Sequence, residues 1–147
     1  MAGPARTFTS NNDHKNPDPD SKIIQAEAEQ LQLAASTVPA KVVPGAVTRV
    51  HLNLNVLKGK WNHEAGPLTV WVDDSSNGTP EKRLMEFAYD SMVSPGSGRN
   101  IDFEFKTAAD TDSHAVSGFV LMHLCDDEGV CFYYRKNFKI DVGVIQN

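Results

Sequence analysis

The sequence predicts an all-β chain, an antiparallel β-sandwich of about seven strands over residues 38–147, preceded by a disordered or weakly helical extension over 1–37. Three observations predict it. From Val38 onward apolar residues recur with period two, the period of a half-buried strand. Eight prolines and ten glycines scattered over 147 residues leave little room for long helices. The apolar runs are separated by turn residues roughly every ten to fifteen positions, as in a sandwich. With 40% hydrophobic residues, the chain can bury one sizeable core.

Within the extension, Thr9 to Ser21 reads TSNNDHKNPDPDS and offers nothing apolar, so residues 1 to about 20 are expected to be disordered and dispensable. Over 21–35 the alanine, glutamate and glutamine content points to a weak helix capped by Ser21, although Ile24, Ala26 and Ala28 alternate as a strand would. Val38 to Val43 is a short run closed by the turn residues Pro44-Gly45. Val47 to Leu57 is the clearest strand: Val50, Leu52, Leu54 and Val56 share one face, and Arg49, His51, Asn53 and Asn55 the other. Leu68 to Val72 follows Gly66-Pro67 and is ended by the polar stretch 73–80. Leu84 to Tyr89 is a weaker strand or loop, and Ser94 to Arg99 is a flexible link into the alternating strand Ile101 to Phe105. Ala115 to Leu124 is apolar on both faces, which predicts a central, well-covered strand. Phe132 to Val142 is its partner, with Phe138, Ile140 and Val142 inward.

Fourteen Lys plus Arg against nineteen Asp plus Glu give a charge of −5, and the densest basic groups are the dipeptides Lys82-Arg83 and Arg135-Lys136. No nucleic-acid partner is expected of such a surface. No apolar run approaches the roughly eighteen residues needed to span a bilayer, so no membrane insertion is expected. Met1 to Ser10 lacks an apolar stretch, so no signal peptide is read there.

The two cysteines carry the chemistry. Leu124 to Tyr134 reads LCDDEGVCFYY, a hairpin whose loop Asp126 to Val130 separates Cys125 from Cys131. Cross-strand neighbours lie about 4.5 to 5.5 Å apart, so the two sulfurs can bond. Closing so short a loop is worth only about 2.4 kcal/mol in the chain-entropy model. The pair is therefore either an inert local clip or a near-surface disulfide open to a partner thiolate. Asp126, Asp127 and Glu128 would raise a thiol pKa; His123, on the face of Cys125, would lower it when protonated, or would simply face water. Zinc would need a fourth ligand beyond His123, Cys125 and Cys131. Hydrolase elbows, zinc-protease helices and phosphate loops are missing from the sequence; Ser94 to Gly98 lacks the lysine a phosphate loop requires. His63-Glu64 is a lone dipeptide, and Asn77-Gly78-Thr79 is a sequon weakened by Pro80. No cofactor or metal is expected.

Val43-Pro44-Gly45, the alternating strand running into Leu57-Lys58-Gly59-Lys60-Trp61-Asn62-His63-Glu64-Ala65-Gly66-Pro67-Leu68, and Cys125-x5-Cys131-Phe132 with the strand to Val142 resemble the C-terminal β-sandwich of NHL-repeat proteins. These include the plant and algal suppressor-of-quenching type, in which a thioredoxin-like domain and an NHL propeller precede the sandwich. The cysteine spacing and acidic loop also resemble the N-terminal immunoglobulin-like domain of DsbD-type thiol-disulfide reductant carriers. Together they cover Val38 to Val142. The resemblance implies an immunoglobulin-like fold and electron exchange with a thioredoxin-like protein or domain, with Cys131 attacked and Cys125 resolving. It also implies a cap loop, placed by chain order within Met85 to Arg99, with Phe87, Tyr89 or Met92 as shield. The alternative it leaves is a non-catalytic scaffold domain beside an NHL propeller in cis, with a structural disulfide. Pairing of the cysteines would favour an oxidising compartment, such as a plastid lumen, periplasm or exported setting.

Overall fold

The computed structural model describes residues 15–62, 66–73, 78–88, 98–109 and 114–145. It is a sandwich of two sheets, and no helix occurs among the described residues. One sheet has seven strands: β1 (Ile24–Gln25), β3 (Lys41–Val42), β5 (Lys60–Trp61), β6 (Leu68–Val72), β8 (Leu84–Phe87), β10 (His114–Cys125) and β11 (Cys131–Val144). Its main path runs β1-β11-β10-β6-β8, with β3 also on β11 and β5 also on β10. The other has four, in the order β2 (Leu31–Val38), β4 (Val47–Val56), β9 (Gly98–Thr107) and β7 (Gly78–Pro80). All pairings are antiparallel except those of β1 and β3 with β11, which are parallel.

Period two does what it predicts. On β4, Val50, Leu52, Leu54 and Val56 are buried between the sheets, while Arg49, His51 and Asn53 lie on the outer face beside Asp102 and Asn100 of β9. Phe103 and Phe105 from β9 meet Val116, Val120, Met122 and Leu124 from β10 in the same core. The Pro44-Gly45 turn is present: Ala46 N–H donates to Val43 C=O at 3.0 Å, and Gly45 has φ +89°, a left-handed conformation that favours glycine. On β11, Phe138 and Val142 are buried and Ile140 packs against the core half-exposed.

The extension departs from expectation. Residues 1–14 lie outside the described residues, but from Lys15 the chain has a defined path. The expected helix over 21–35 is absent: β1 pairs with β11, and β2 pairs along its whole length with β4 from Leu31↔Val56 to Val38↔Arg49. Leu31 is fully buried, so tertiary pairing overrides the helical leaning of Ala, Gln and Glu. The sandwich therefore begins before residue 38.

Disorder to residue 20 is overturned at Asp18, which is 5% exposed. Its carboxylate accepts the amides of Lys22 and Ile23, at 2.8 and 3.3 Å, and a 2.8 Å charge-assisted bond from Arg135. Arg135 in turn lies 3.8 Å from the ring centroid of Phe119. Phe119, Leu121 and Trp71 form a second apolar cluster on the outer face of the seven-stranded sheet, with Ile23 and Leu84 against it. That is why β10 is apolar on both faces: residues 18–23 strap its outer one.

Burial alone would raise the Asp18 pKa, but Arg135 and the two amides outweigh it and hold the carboxyl below the usual aspartate value. A lowered folded pKa contributes stability that is present above the unfolded value and is lost as pH falls through the folded one. Asp18→Asn should therefore destabilise the domain at pH 7 by about 1.5–3 kcal/mol, the range for a charge-assisted bond. Urea midpoints measured from pH 7 downward should show wild type and variant converging only below the ordinary aspartate value of 3.8. A constant gap into stronger acid would mean the carboxylate charge is not what matters.

Candidate functional site

β10 and β11 pair from His114↔Val142 to Cys125↔Cys131, and the hairpin's register brings the two cysteines face to face. They are joined as a disulfide with Cα atoms 3.9 Å apart. The loop between them is built by Asp126. Its backbone N–H donates to Val130 C=O at 2.8 Å, and its Oδ1 accepts the amides of Glu128 and Val130, each at 2.9 Å. Gly129, at φ +85°, supplies the left-handed residue that closes the turn.

The two sulfur-bearing residues differ in access. Cys125 is 6% exposed, because β10 is flanked at that end by β11 on one side and by β5 on the other, with Cys125 opposite Lys60. Gly59, just before β5, has φ +87°, and a Cβ there would collide with the Cys125 carbonyl oxygen. Only glycine lets β5 approach. Cys131 begins β11 beyond the reach of that cover and is exposed.

His123 and Tyr133 form the next cross-strand pair along the same face, their rings stacked with centroids 4.4 Å apart. The expected water-facing imidazole is thus half-buried against a ring, and its Nδ1 is buried with no hydrogen-bond partner among the described residues. Burial pushes the His123 pKa below its ordinary value, so at neutral pH the ring is uncharged and offers no cation to a thiolate. Tyr133 is raised, mainly by burial and further by the charges of Glu86 and Asp18, against a hydrogen bond with Thr69 that lowers it. The phenol stays protonated. Counting two residues back from one cysteine and two forward from the other finds this pair in the sequence, but only His123 is nominated there.

Of the expected cap residues, Tyr89 and Met92 lie outside the described residues, as do His63, Glu64 and Asn77. Phe87 ends β8 opposite Leu68 and packs against the inter-sheet core. The carboxylates of the loop gather with others that sequence reading passed over: Glu27, Glu29, Asp126, Asp127 and Glu128, with Lys58, line an open cleft of about 670 Å³ beside the disulfide. Nothing in the spacing of Glu27 and Glu29, some hundred residues before the loop, signals this. Among the described residues no group of three or more His, Cys, Asp or Glu side chains is arranged to hold a metal ion. Nor, among the described residues, is any helix long and apolar enough to cross a membrane.

Compared with models of known protein families and with curated proteins, the chain has no match in either.

Proposed function

We propose that the sandwich is a thiol-disulfide exchange module whose Cys125-Cys131 pair passes electrons to or from a thioredoxin-like partner. The observation that carries the reading is the asymmetry of the pair: one residue exposed at a strand end, the other buried under β5 and Gly59. An exchange needs this division, since one sulfur must be reached by an outside thiolate while the other is kept for closing the ring again. A clip that only stabilised the hairpin would gain nothing from it. Such a clip would also be worth little, since the loop is short and the strands on either side are already fully paired.

In the proposed step the partner's thiolate attacks Cys131 Sγ, the Cys125–Cys131 bond breaks, and Cys125 Sγ leaves as a thiolate that takes a proton. The partner's second thiol then attacks the mixed disulfide, so two electrons pass to the sandwich and the partner becomes a disulfide. The reverse sequence oxidises the sandwich. The immunoglobulin-like kinship with DsbD-type domains and with the NHL-associated sandwich is part of this reading, and the cysteine spacing and acidic loop support it.

The reduction potential of the pair tests it. Equilibration with thioredoxin or glutathione buffers should place it near the roughly −270 mV of thioredoxin. A value well below about −300 mV, the range of structural disulfides, would turn the reading into a scaffold domain with an inert staple.

A further inference from the structure

The exposed edge of β11 is unevenly guarded. β1 covers it at Tyr134 and Arg135, and β3 covers it at Gly143 and Val144. Between those two, no strand pairs with it among the described residues, but it is charged, with Lys136, Lys139 and Asp141 along it, which is how edges are kept from pairing with other chains. Before β1 no strand pairs with it among the described residues, and it is apolar there: Val130 is 46%, Phe132 46% and Tyr133 37% exposed, around exposed Cys131.

The backbone phase there is fixed. Asp126 N–H bonds to Val130 C=O across the hairpin, so even-numbered residues of β11 bond toward β10 and odd-numbered ones away from it. The same phase shows further along, where Arg135 C=O accepts Ala26 N–H at 2.8 Å and Gly143 N–H donates to Ala40 C=O at 2.9 Å. The N–H and C=O of Cys131 and the N–H of Tyr133 therefore face the open edge, ahead of the point where β1 begins.

We infer that this edge is a strand-addition site for a second exchange partner beside the thioredoxin-like one: a cysteine carried in an extended segment, which pairs as a strand with β11 at Cys131–Tyr133 while its thiolate meets Cys131. The partner segment is apolar beside its cysteine, to match Val130 and Phe132, and basic at its ends, to match the acidic cleft of Glu27, Glu29 and Asp126 to Glu128. This rests on the exchange reading above and gives it a docking geometry. Backbone pairing would hold the attacking sulfur in line and exclude thiols that cannot form a strand.

The test uses the full chain with Cys125→Ser and Cys131 loaded as a mixed disulfide with thionitrobenzoate. An attacking thiolate bonds to Cys131 Sγ and expels the coloured thionitrobenzoate anion, so release is read directly. Three probes are compared at equal thiolate concentration: a lysine-flanked Val-Cys-Val pentapeptide, the same peptide N-methylated on the backbone at the cysteine and both valines so that neither strand orientation can bond the edge, and glutathione. The unmethylated peptide should react at least about tenfold faster than its methylated twin, a difference of about 1.4 kcal/mol in barrier. Phe132→Lys, which places a guard charge on the edge, should remove most of that advantage. Equal rates for the two peptides overturn strand pairing while leaving exchange standing. Absence of release with any thiol, glutathione included, removes the exchange reading and this inference with it.

Discussion

Leu54→Ala is expected to lower the unfolding free energy by about 2–5 kcal/mol, a large part of the 5–15 kcal/mol that typically holds a domain together. Leu54 is fully buried in the second half of β4, paired with Leu33 on one side and Arg99 on the other, so the neighbouring strands cannot close the void. Phe119→Ala should cost a comparable amount for a different reason. Its ring lies outside the inter-sheet core and supports the Arg135 guanidinium that holds Asp18, so its loss loosens the strap as well as leaving a cavity. Asn53→Ala and His51→Ala, on the outer face of β4, should each cost less than about 1 kcal/mol, since each side chain there makes only exposed polar contacts. Urea midpoints of the four variants with unchanged slopes would establish the contrast. Equal losses on both faces of β4 would mean that its register is wrong.

The parts of this fold that local pattern specifies are legible in the sequence. β4, β9 and β11 follow from alternation because one face of each is buried, and a shift of one residue would turn every apolar side chain to water; β10 follows instead from an apolar run covered on both faces. β2 is not legible, since Leu31 to Val38 contains Ala34, Ala35 and Ser36, whose preferences are weak; it is a strand because β4 lies beside it. The strap is hidden for a stronger reason. NPDPDS has the composition of a disordered tail, and Asp18 is tied to the sheet through Arg135, 117 residues away, on a face whose apolar character the sequence does show. β5 is missed because two residues carry no period. Its signal is instead Gly59, whose missing side chain allows the close approach that buries Cys125. The disulfide is legible because its partners are six positions apart in one hairpin. Of the cap residues chosen by chain order, only Phe87 falls among the described residues, and it packs against the core.

Capture of a partner thiol should depend on Cys131 and hardly at all on Cys125. A reduced thioredoxin-like protein lacking its resolving cysteine should attack the wild-type disulfide and stall as a mixed disulfide, because exchange passes through that species. In Cys125→Ala the remaining thiol is exposed on the open edge, so an activated partner disulfide should trap it readily. In Cys131→Ala the remaining thiol is Cys125, covered by β5 and Gly59, and trapping should slow by at least about tenfold, as expected of a buried cysteine. Both variants should stay folded, since closing the loop contributes at most about 2.4 kcal/mol and the surrounding pairing of β10 with β11 and β5 is independent of it. Far-ultraviolet circular dichroism checks the fold, while non-reducing electrophoresis and mass spectrometry count the adducts. Equal trapping of the two variants would show that Cys125 is as accessible as Cys131 and would remove the asymmetry on which exchange rests. No wild-type adduct with several thioredoxin-like proteins, together with a potential far below theirs, would leave the bond as a local clip in a scaffold domain.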